Sequence, residues 1–426
     1  MNPSSYYRAT ATPDVAWEPL DGTARARVAI IGGGFAGLNT ALGLAERGVH
    51  DVVLLEREQI GFGASGRNGG FVFAGYSLGE QSLLDQRGES SARSLFKLTT
   101  EAVGRIRQRI ADHGISCDLV DEGVIWTNWF RDPAILRERQ TLLAEHYGVH
   151  WQWLSDAELC EQIRSERYHG GLYERDALHL HPLNYALGLA KVAAGKGVRV
   201  HENSGALSLA REGSCWRVRT AHGEVLADQV VLACGGYLAG LRTSIDRAIL
   251  PIATYVMVTE PLGERLDDCL RTRAAIYDSR FAFDYYRALP DSRLLWGGRI
   301  SVLNRSPHSV QRLLTRDLLR VFPQLRGVQI DYAWSGLMSY ARHQMPQIGG
   351  DGNGLWWAQA FGGHGLAPTC AAGELLAAAL AGGNDGWKQF SDYGLGSSHR
   401  PFGYLAAQAS YWWQQGRDCL KARMEG

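Results

Sequence analysis

The residues of this chain best suited to chemistry fall in three glycine-rich clusters. The first is Gly32-x-Gly34-x-x-Gly37, directly after the apolar run Arg27-Val-Ala-Ile-Ile31, with Glu56 closing a second apolar run, Asp51-Val-Val-Leu-Leu55. Gly32 permits a tight turn, Gly34 lets the backbone approach a pyrophosphate, and Gly37 allows a helix to pack closely on its strand. The N–H groups that open such a helix favour phosphate charge, and the Glu56 carboxylate can accept bonds from ribose hydroxyls. The same triplet occurs in ordinary glycine turns. Its place between strand and helix is what points to a dinucleotide, and it does not separate NAD from FAD.

The second cluster, Ile60-Gly-Phe-Gly-Ala-Ser-Gly-Arg-Asn-Gly-Gly70, can present backbone N–H groups to a cofactor, with Arg67 and Asn68 as polar handles. Read without context it is equally a mobile surface loop. The third, Phe361-Gly-Gly-His-Gly-Leu-Ala-Pro368, leads into an Ala-rich helix over 368–381, with Pro368 expected at its first position. A helix N-terminus here could stabilise negative charge on the edge of a flavin undergoing reduction. His364 is the candidate for a titratable role, or is simply held by loop hydrogen bonds.

The elements that must position these clusters follow from apolar patterning. The runs at 27–31 and 51–55 read as buried strands flanking a helix over 38–47 closed by Gly48, a strand–helix–strand unit. Helical patterns recur at 91–113, 133–147, 183–194 and 310–321. Residues 197–201 suit a strand, and 206–209, 216–220 and 225–226 suit a small meander. Further buried strands are expected at 230–233 and 355–358. Nucleotide-type units thus occur in three separated blocks, which predicts two interleaved domains.

Composition narrows the class. Of 426 residues, 44 are Lys or Arg and 44 Asp or Glu, and this balance speaks against nucleic acid as a partner. Apolar residues make up 45%, which excludes a mostly disordered chain. Seven scattered cysteines without a CxxC pair argue against a disulfide framework or a metal site and favour a reducing, cytoplasmic setting. Residues 1–26 show no apolar leader, and no run of about 18 apolar residues predicts a transmembrane segment. The 51 glycines exceed the usual ~7% and must serve loops.

Taken together, the three clusters resemble the glycine-oxidase and sarcosine-oxidase class of the D-amino-acid-oxidase superfamily of FAD-dependent oxidoreductases. Ser5-Tyr-Tyr7, the loop 61–70, His181-Pro-Leu-Asn184, Asp284-Tyr-Tyr-Arg287, Phe322-Pro-Gln-Leu325, Met345-Pro-Gln347 and Gly363-His-Gly365 carry the likeness along nearly the whole chain. The loop 61–70 is far more specific than the first cluster and implies FAD rather than NAD. The expected fold is α/β: a Rossmann-type FAD-binding domain (22–77, 178–240 and 333–395) interleaved with an α+β substrate domain containing a mainly antiparallel sheet (78–177 and 241–332). A C-terminal segment, 396–426, follows. By this resemblance Gly32, Gly34, Phe35 and Ala36 line the pyrophosphate, and Glu56 with Arg57 the adenosine ribose. Ser65, Arg67, Asn68 and Gly69 approach the diphosphate–ribityl region and the flavin, and Ala206 touches the adenine. Ala233 and Cys234 close the nucleotide pocket, and Gly363, His364, Gly365 and Leu366 hold the pyrimidine edge. No cysteine or histidine of the family's attachment type stands out, which implies non-covalent FAD.

The departures bear on substrate. Relatives that oxidise α-amino acids hold the carboxylate with a cation. The arginine that glycine oxidases place shortly after Trp-x-Gly is replaced, after Trp334-Ser-Gly336, by Met338. The lysine that sarcosine oxidases place after Gly-His-Gly is Ala367. A buried carboxylate without a cation is costly. The expected reaction is therefore oxidation of a primary or secondary amine, a polyamine derivative being one option. Hydride transfer to flavin N5 would give an imine that hydrolyses, with oxygen or another acceptor taking the electrons. Arg287 or Arg342 acting as substitute anchor would instead make an amino-acid oxidase or dehydrogenase. With no assignable catalytic base, a flavin-binding protein without turnover is the third reading.

Substrate-pocket candidates are Arg67, Met338, His364 and an aromatic wall of Tyr286, Trp334 and Tyr340, attractive to an amine through cation–π contact or else ordinary core. The run 281–287 alternates as a strand, with Phe281, Phe283 and Tyr285 on one face and Asp284 and Tyr286 on the other. The aromatic stretch 404–413 could cap the site, touch a membrane surface, or pack on its own domain.

Overall fold

The computed structural model describes residues 5–12, 15–303 and 305–425. Two eight-stranded sheets share the chain. The first grows from the expected strand–helix–strand unit. Strand Gly22–Ile31 pairs in parallel with Val52–Leu55 and with Gly223–Leu232, and Arg199–His201 and Leu355–Gln359 extend the parallel core on either side. Alternate residues serve opposite faces. Val28, Ile30, Val52 and Leu54 pack with helices Phe35–Glu46, Pro182–Gly195 and Leu366–Gly382, while Ala29, Ile31, Val53 and Leu55 pack with Trp216 and Val218 of the meander. Burial on both faces is why these strands read as unbroken apolar runs.

The meander forms as Ser208–Glu212, Cys215–Arg219 and Gly223–Leu232. The separate strands expected at 225–226 and 230–233 are one continuous strand. Polar Asp228 and Gln229 interrupt the apolar pattern, but pairing with Gly22–Ile31 carries the backbone through.

The second sheet runs Ile330–Tyr340, Leu250–Thr259, Leu294–Ser301, Asp284–Ala288, Ala275–Asp278, Val124–Thr127, Gly171–Glu174, Gln152–Leu154. It is antiparallel except where Ala275–Asp278 meets Val124–Thr127 in parallel. The boundary expected at residue 333 falls inside strand Ile330–Tyr340, which pairs with Leu250–Thr259 along its length. Residues 333–340 therefore belong with the second sheet.

Helix ends differ from the sequence reading in several places, and the helices expected at 38–47 and 310–321 begin three residues earlier, at Phe35 and Pro307. The helix expected at 91–113 begins earlier, at Glu80, with non-helical backbone at Gly88 (φ 71°). The stretch 133–147 divides into Ala134–Leu142 and a wider helical turn, Leu143–Tyr147. The last core helix is Leu366–Gly382, so Pro368 is its third residue, not its first. A first-turn proline is tolerated there because its missing N–H would have no intrahelical acceptor. The aromatic stretch 404–413 lies within a long C-terminal helix, Phe402–Glu425.

Candidate functional site

A cavity of about 1430 Å³ opens at the carboxyl ends of the first sheet's parallel strands and continues across the second sheet to the C-terminal helix. This is where open α/β sheets bind nucleotides, and the volume exceeds that of a typical small-ligand pocket, ~300–1,000 Å³. Gly32, Gly34, Phe35 and Ala36 line it at the mouth of helix Phe35–Glu46, whose N-cap residue is Gly34. Gly32 has φ +117°, and a Cβ there would lie 2.6 Å from the Ala233 carbonyl oxygen; a Cβ on Gly37 would run into the Gly32 carbonyl oxygen. Only glycine fits either place.

Glu56 and Arg57 line the adjoining wall, with Ala206, Ala233 and Cys234 beyond them. Glu56 Oε2 accepts from Gly33 N at 2.7 Å and Oε1 from Glu58 N at 2.9 Å. Burial pushes this carboxyl above its ordinary value, and the two N–H bonds oppose the shift. Ser65 ties the first two glycine clusters together, its Oγ accepting from Phe35 N at 2.9 Å. Arg67 donates to the Phe62 and Ser335 carbonyl oxygens at 2.9 and 3.3 Å. Asn68 also lines the cavity, but its side chain is spent on its own loop, donating to Ala64 O and Ser65 O and accepting from Gly70 N. Gly69, Gly363, His364, Gly365 and Leu366 complete the wall. A helix mouth opening on a glycine, a carboxylate beside it and glycines with no room for a side chain fit an FAD nucleotide.

Of the substrate candidates, Met338 and Tyr340 line the cavity, as do Arg67 and His364. Tyr286 and Trp334 do not. Tyr286 is fully buried, stacked on Trp296 at 4.5 Å, and hydrogen-bonded to Tyr168. Trp334 is buried against Tyr7 and donates from Nε1 to Arg67 O at 2.9 Å. The strand expected over 281–287 covers only Asp284–Ala288, with 281–283 outside it, and Phe281, Ala282, Phe283 and Tyr285 all meet the cavity. The aromatic wall is therefore Phe73, Trp126, Tyr277, Phe283, Tyr285 and Tyr340. Phe73 stacks on Tyr277 at 5.6 Å and meets the His364 ring edge-on at 4.9 Å. Burial pushes His364 down to about 4, so it is neutral at physiological pH.

Sequence reasoning missed a charged pair in this wall. Arg139 donates to Glu80 Oε1 at 2.8 Å, and its guanidinium lies over Trp126 and Trp151 at 4.5 and 4.8 Å. Burial alone would raise the Glu80 carboxyl, but the Arg139 charge overrides it and holds the group below the usual range. Behind the pair, burial pushes Glu174 up to about 8, and its Oε2 has no partner. Glu80 and Arg139 lie in helices whose charges read as a solvated surface, and nothing in their spacing signals the contact.

The family model for FAD-dependent oxidoreductases matches residues 27–379. The chain belongs to this family. It is 36% identical over 402 residues to gamma-glutamylputrescine oxidoreductase of Escherichia coli, covering 94% of this chain and 93% of that one. It is 34% identical to the probable oxidoreductase OrdL of Haemophilus influenzae over 89% of each chain. The fold matches crystal structures of glycine oxidase from Geobacillus kaustophilus (TM-score 0.69, 23% identity, 84% of this chain and 95% of that one) and Bacillus cereus (0.71, 20%, 86% and 97%).

In this FAD-dependent oxidoreductase, Arg287 is no carboxylate anchor. It is buried outside the cavity and donates from Nε to Gly69 O at 2.8 Å, and from Nη2 to Leu180 O at 2.9 Å and Tyr7 Oη at 3.2 Å. Its Nη1 faces His179 Nδ1 at 3.3 Å, while His179 Nε2 donates to Arg273 O. Burial and then the Arg287 charge push His179 and His181 down to about 3. Tyr7, His181 and Arg287, from three motifs far apart in sequence, thus converge behind the loop 61–70 and outside the cavity. Arg342, by contrast, is exposed and does line the cavity. Arg287→Met is expected to weaken FAD binding about tenfold, by freeing Gly69 O, while costing only about 2 kcal/mol of stability, because a desolvated cation is removed along with its hydrogen bonds. FAD titration beside urea denaturation checks this, and unchanged affinity would refute the positioning role.

Proposed function

We propose that this oxidoreductase oxidises a primary or secondary amine, with a polyamine derivative as the favoured substrate, using FAD held non-covalently in the cavity. The observation that carries the reading is the wall next to 363–366: aromatic rings, Met338 and the mutually paired Glu80 and Arg139, with no arginine or lysine at the two places where amino-acid oxidases of the family carry one. The similarity to a gamma-glutamylputrescine oxidoreductase supports the same class. Bound FAD would supply the two-electron acceptor for the C–H bond next to the substrate nitrogen. Gly32, Gly34, Phe35 and Ala36 would hold its pyrophosphate, Glu56 its ribose, and 363–366 its pyrimidine edge.

The chain's own work is then positioning and electrostatics. The N-terminus of helix Leu366–Gly382, which no side chain caps, favours negative charge at the cofactor edge. Phe73, Tyr277, Phe283 and Tyr285 exclude water and attract the incoming ammonium through their ring faces. Neutral His364 packs edge-on to Phe73 and contributes no charge of its own. The imine product hydrolyses in water, and oxygen or another oxidant takes up the electrons. The seven cysteines, all unpaired, support a reducing, cytoplasmic setting. Among the described residues no single helix is long and apolar enough to cross a membrane. Exposed Arg342 in the cavity rim favours one second reading, an amino-acid oxidase whose carboxylate it holds.

Anaerobic mixing of the holoprotein with a panel of amines and of glycine, sarcosine and D-alanine tests both. Bleaching of the visible flavin band by di- and polyamine derivatives is expected. Bleaching by the amino acids alone would replace the first reading with the second, and none by any compound would leave a flavin-binding protein without turnover.

A further inference from the structure

Among the described residues ten large apolar side chains are exposed, and six of them lie on the single helix Phe402–Glu425: Phe402, Leu405, Trp412, Trp413, Leu420 and Met424. Spaced three, four and seven residues apart, they fall with Ala409 and Gly416 on one stripe of the helix. The stripe runs the length of 24 residues, ~36 Å at 1.5 Å per residue. The opposite side of the helix is fixed to the second sheet. Tyr411 Oη accepts from Ile300 N, Gln408 Oε1 accepts from Ser301 Oγ and Val302 N, and Asp418 accepts from Phe281 N at 2.8 Å. The apolar stripe is therefore held outward by polar bonds behind it, not left there by fraying.

Charge decides what the stripe suits. The helix's two acidic residues are both drawn inward, Asp418 to Phe281 N and Glu425 to Arg131 N. The exposed charges flanking the stripe are Arg417 and Arg423, and the Arg417 guanidinium lies 4.9 Å from the Trp413 ring. A self-complementary contact with a second copy would bring arginines against arginines with no carboxylate on the face to meet them. An apolar stripe with a tryptophan pair and only cations beside it matches an anionic lipid surface, where the rings sit at headgroup depth and the arginines meet phosphates.

We propose that the helix Phe402–Glu425 lies in the plane of an anionic bilayer surface and docks the protein there peripherally, with its inner side still walling the cavity at Gly403, Ala407 and Tyr411. This does not depend on which amine is oxidised. The test is sedimentation of the full-length holoprotein with vesicles of phosphatidylcholine alone or mixed with phosphatidylglycerol, at low and high salt, with the solution mass measured in parallel. Binding to the anionic vesicles and release by salt are expected. Trp412→Ser/Trp413→Ser/Leu420→Ser and Arg417→Glu/Arg423→Glu should each weaken it about tenfold or more, with flavin absorbance and melting unchanged because these side chains stand in solvent. Absence of binding by the unaltered protein, or equal binding by both variants, would overturn the proposal. So would a dimer that the triple variant dissociates, since a second copy would then cover the stripe.

Discussion

Arg139→Leu is expected to destabilise the protein by about 3–5 kcal/mol, the range for removing one partner of a buried ion pair. The loss arises from what is left behind. Glu80 retains 14% side-chain exposure and would keep its desolvation penalty without the charge that offsets it. Trp126 and Trp151 would lose the guanidinium between them. Glu80→Gln/Arg139→Leu should recover much of the loss, because a neutral pair of similar volume carries neither penalty. Glu80 lies below its ordinary value in the folded protein, so the pair's stabilisation is present above the usual carboxylate range and fades as pH falls through the folded value. The gap between Arg139→Leu and the unaltered protein should therefore narrow in acid. The exposed pair Arg107 and Asp121 is the control, since disrupting it should cost no more than about 1 kcal/mol. Urea midpoints of the FAD-saturated variants read all of these. A double variant no more stable than Arg139→Leu would show that packing on the tryptophans, not charge, is what Arg139 supplies.

Glu174→Gln is expected to stabilise the protein in alkali and to leave it nearly unchanged in acid. Glu174 is a carboxyl that folding makes harder to ionise, with a folded value of about 8 against 4.5. Between those two values the unfolded chain releases its proton while the folded chain keeps it, so this group erodes stability as pH rises and reaches its full penalty above about 8. At ~1.4 kcal/mol per pH unit the full effect is a few kcal/mol. Glutamine keeps the shape, and its amide replaces a protonated Oε2 that has no partner in either case. Denaturation at pH 5 and pH 9 should show the variant's advantage only at the higher value. Equal advantage at both would place the ionisation outside this window.

The nucleotide half of this molecule was legible because its physics is local. Gly32, Gly34 and Gly37 sit in sequence where they act, and buried parallel strands announce themselves as apolar runs. The loop 60–70 was legible for the same reason, although Asn68 turned out to serve its own backbone. The substrate wall was not. Tyr286 and Tyr285 are neighbours in sequence and face opposite ways, and Tyr286 is held in the core by Trp296, stacked on it from the paired strand, and by Phe322, edge-on from the end of helix Pro307–Val321. Glu80 and Arg139 were invisible because a charge on a helix looks solvated until a distant helix covers it. Trp334 was misread because its indole N–H is bound to the Arg67 carbonyl behind the cavity, a partner 267 residues away that its own sequence neighbourhood does not reveal.

The strand pairing also sets the order in which a growing chain can acquire its function. Strand Gly22–Ile31 emerges from the ribosome early, but its neighbour Gly223–Leu232 is made two hundred residues later, and Leu355–Gln359 later still. Helix Leu366–Gly382, which covers the same sheet and whose first turn lines the cavity, is made after that. The second sheet must be threaded in the interval. Until nearly the last residue of that helix is synthesised, the glycine loop faces an incomplete sheet. Cofactor capture is therefore expected late, once the first sheet is complete, and a chain truncated before residue 382 is expected to be a client of chaperones rather than a smaller flavoprotein.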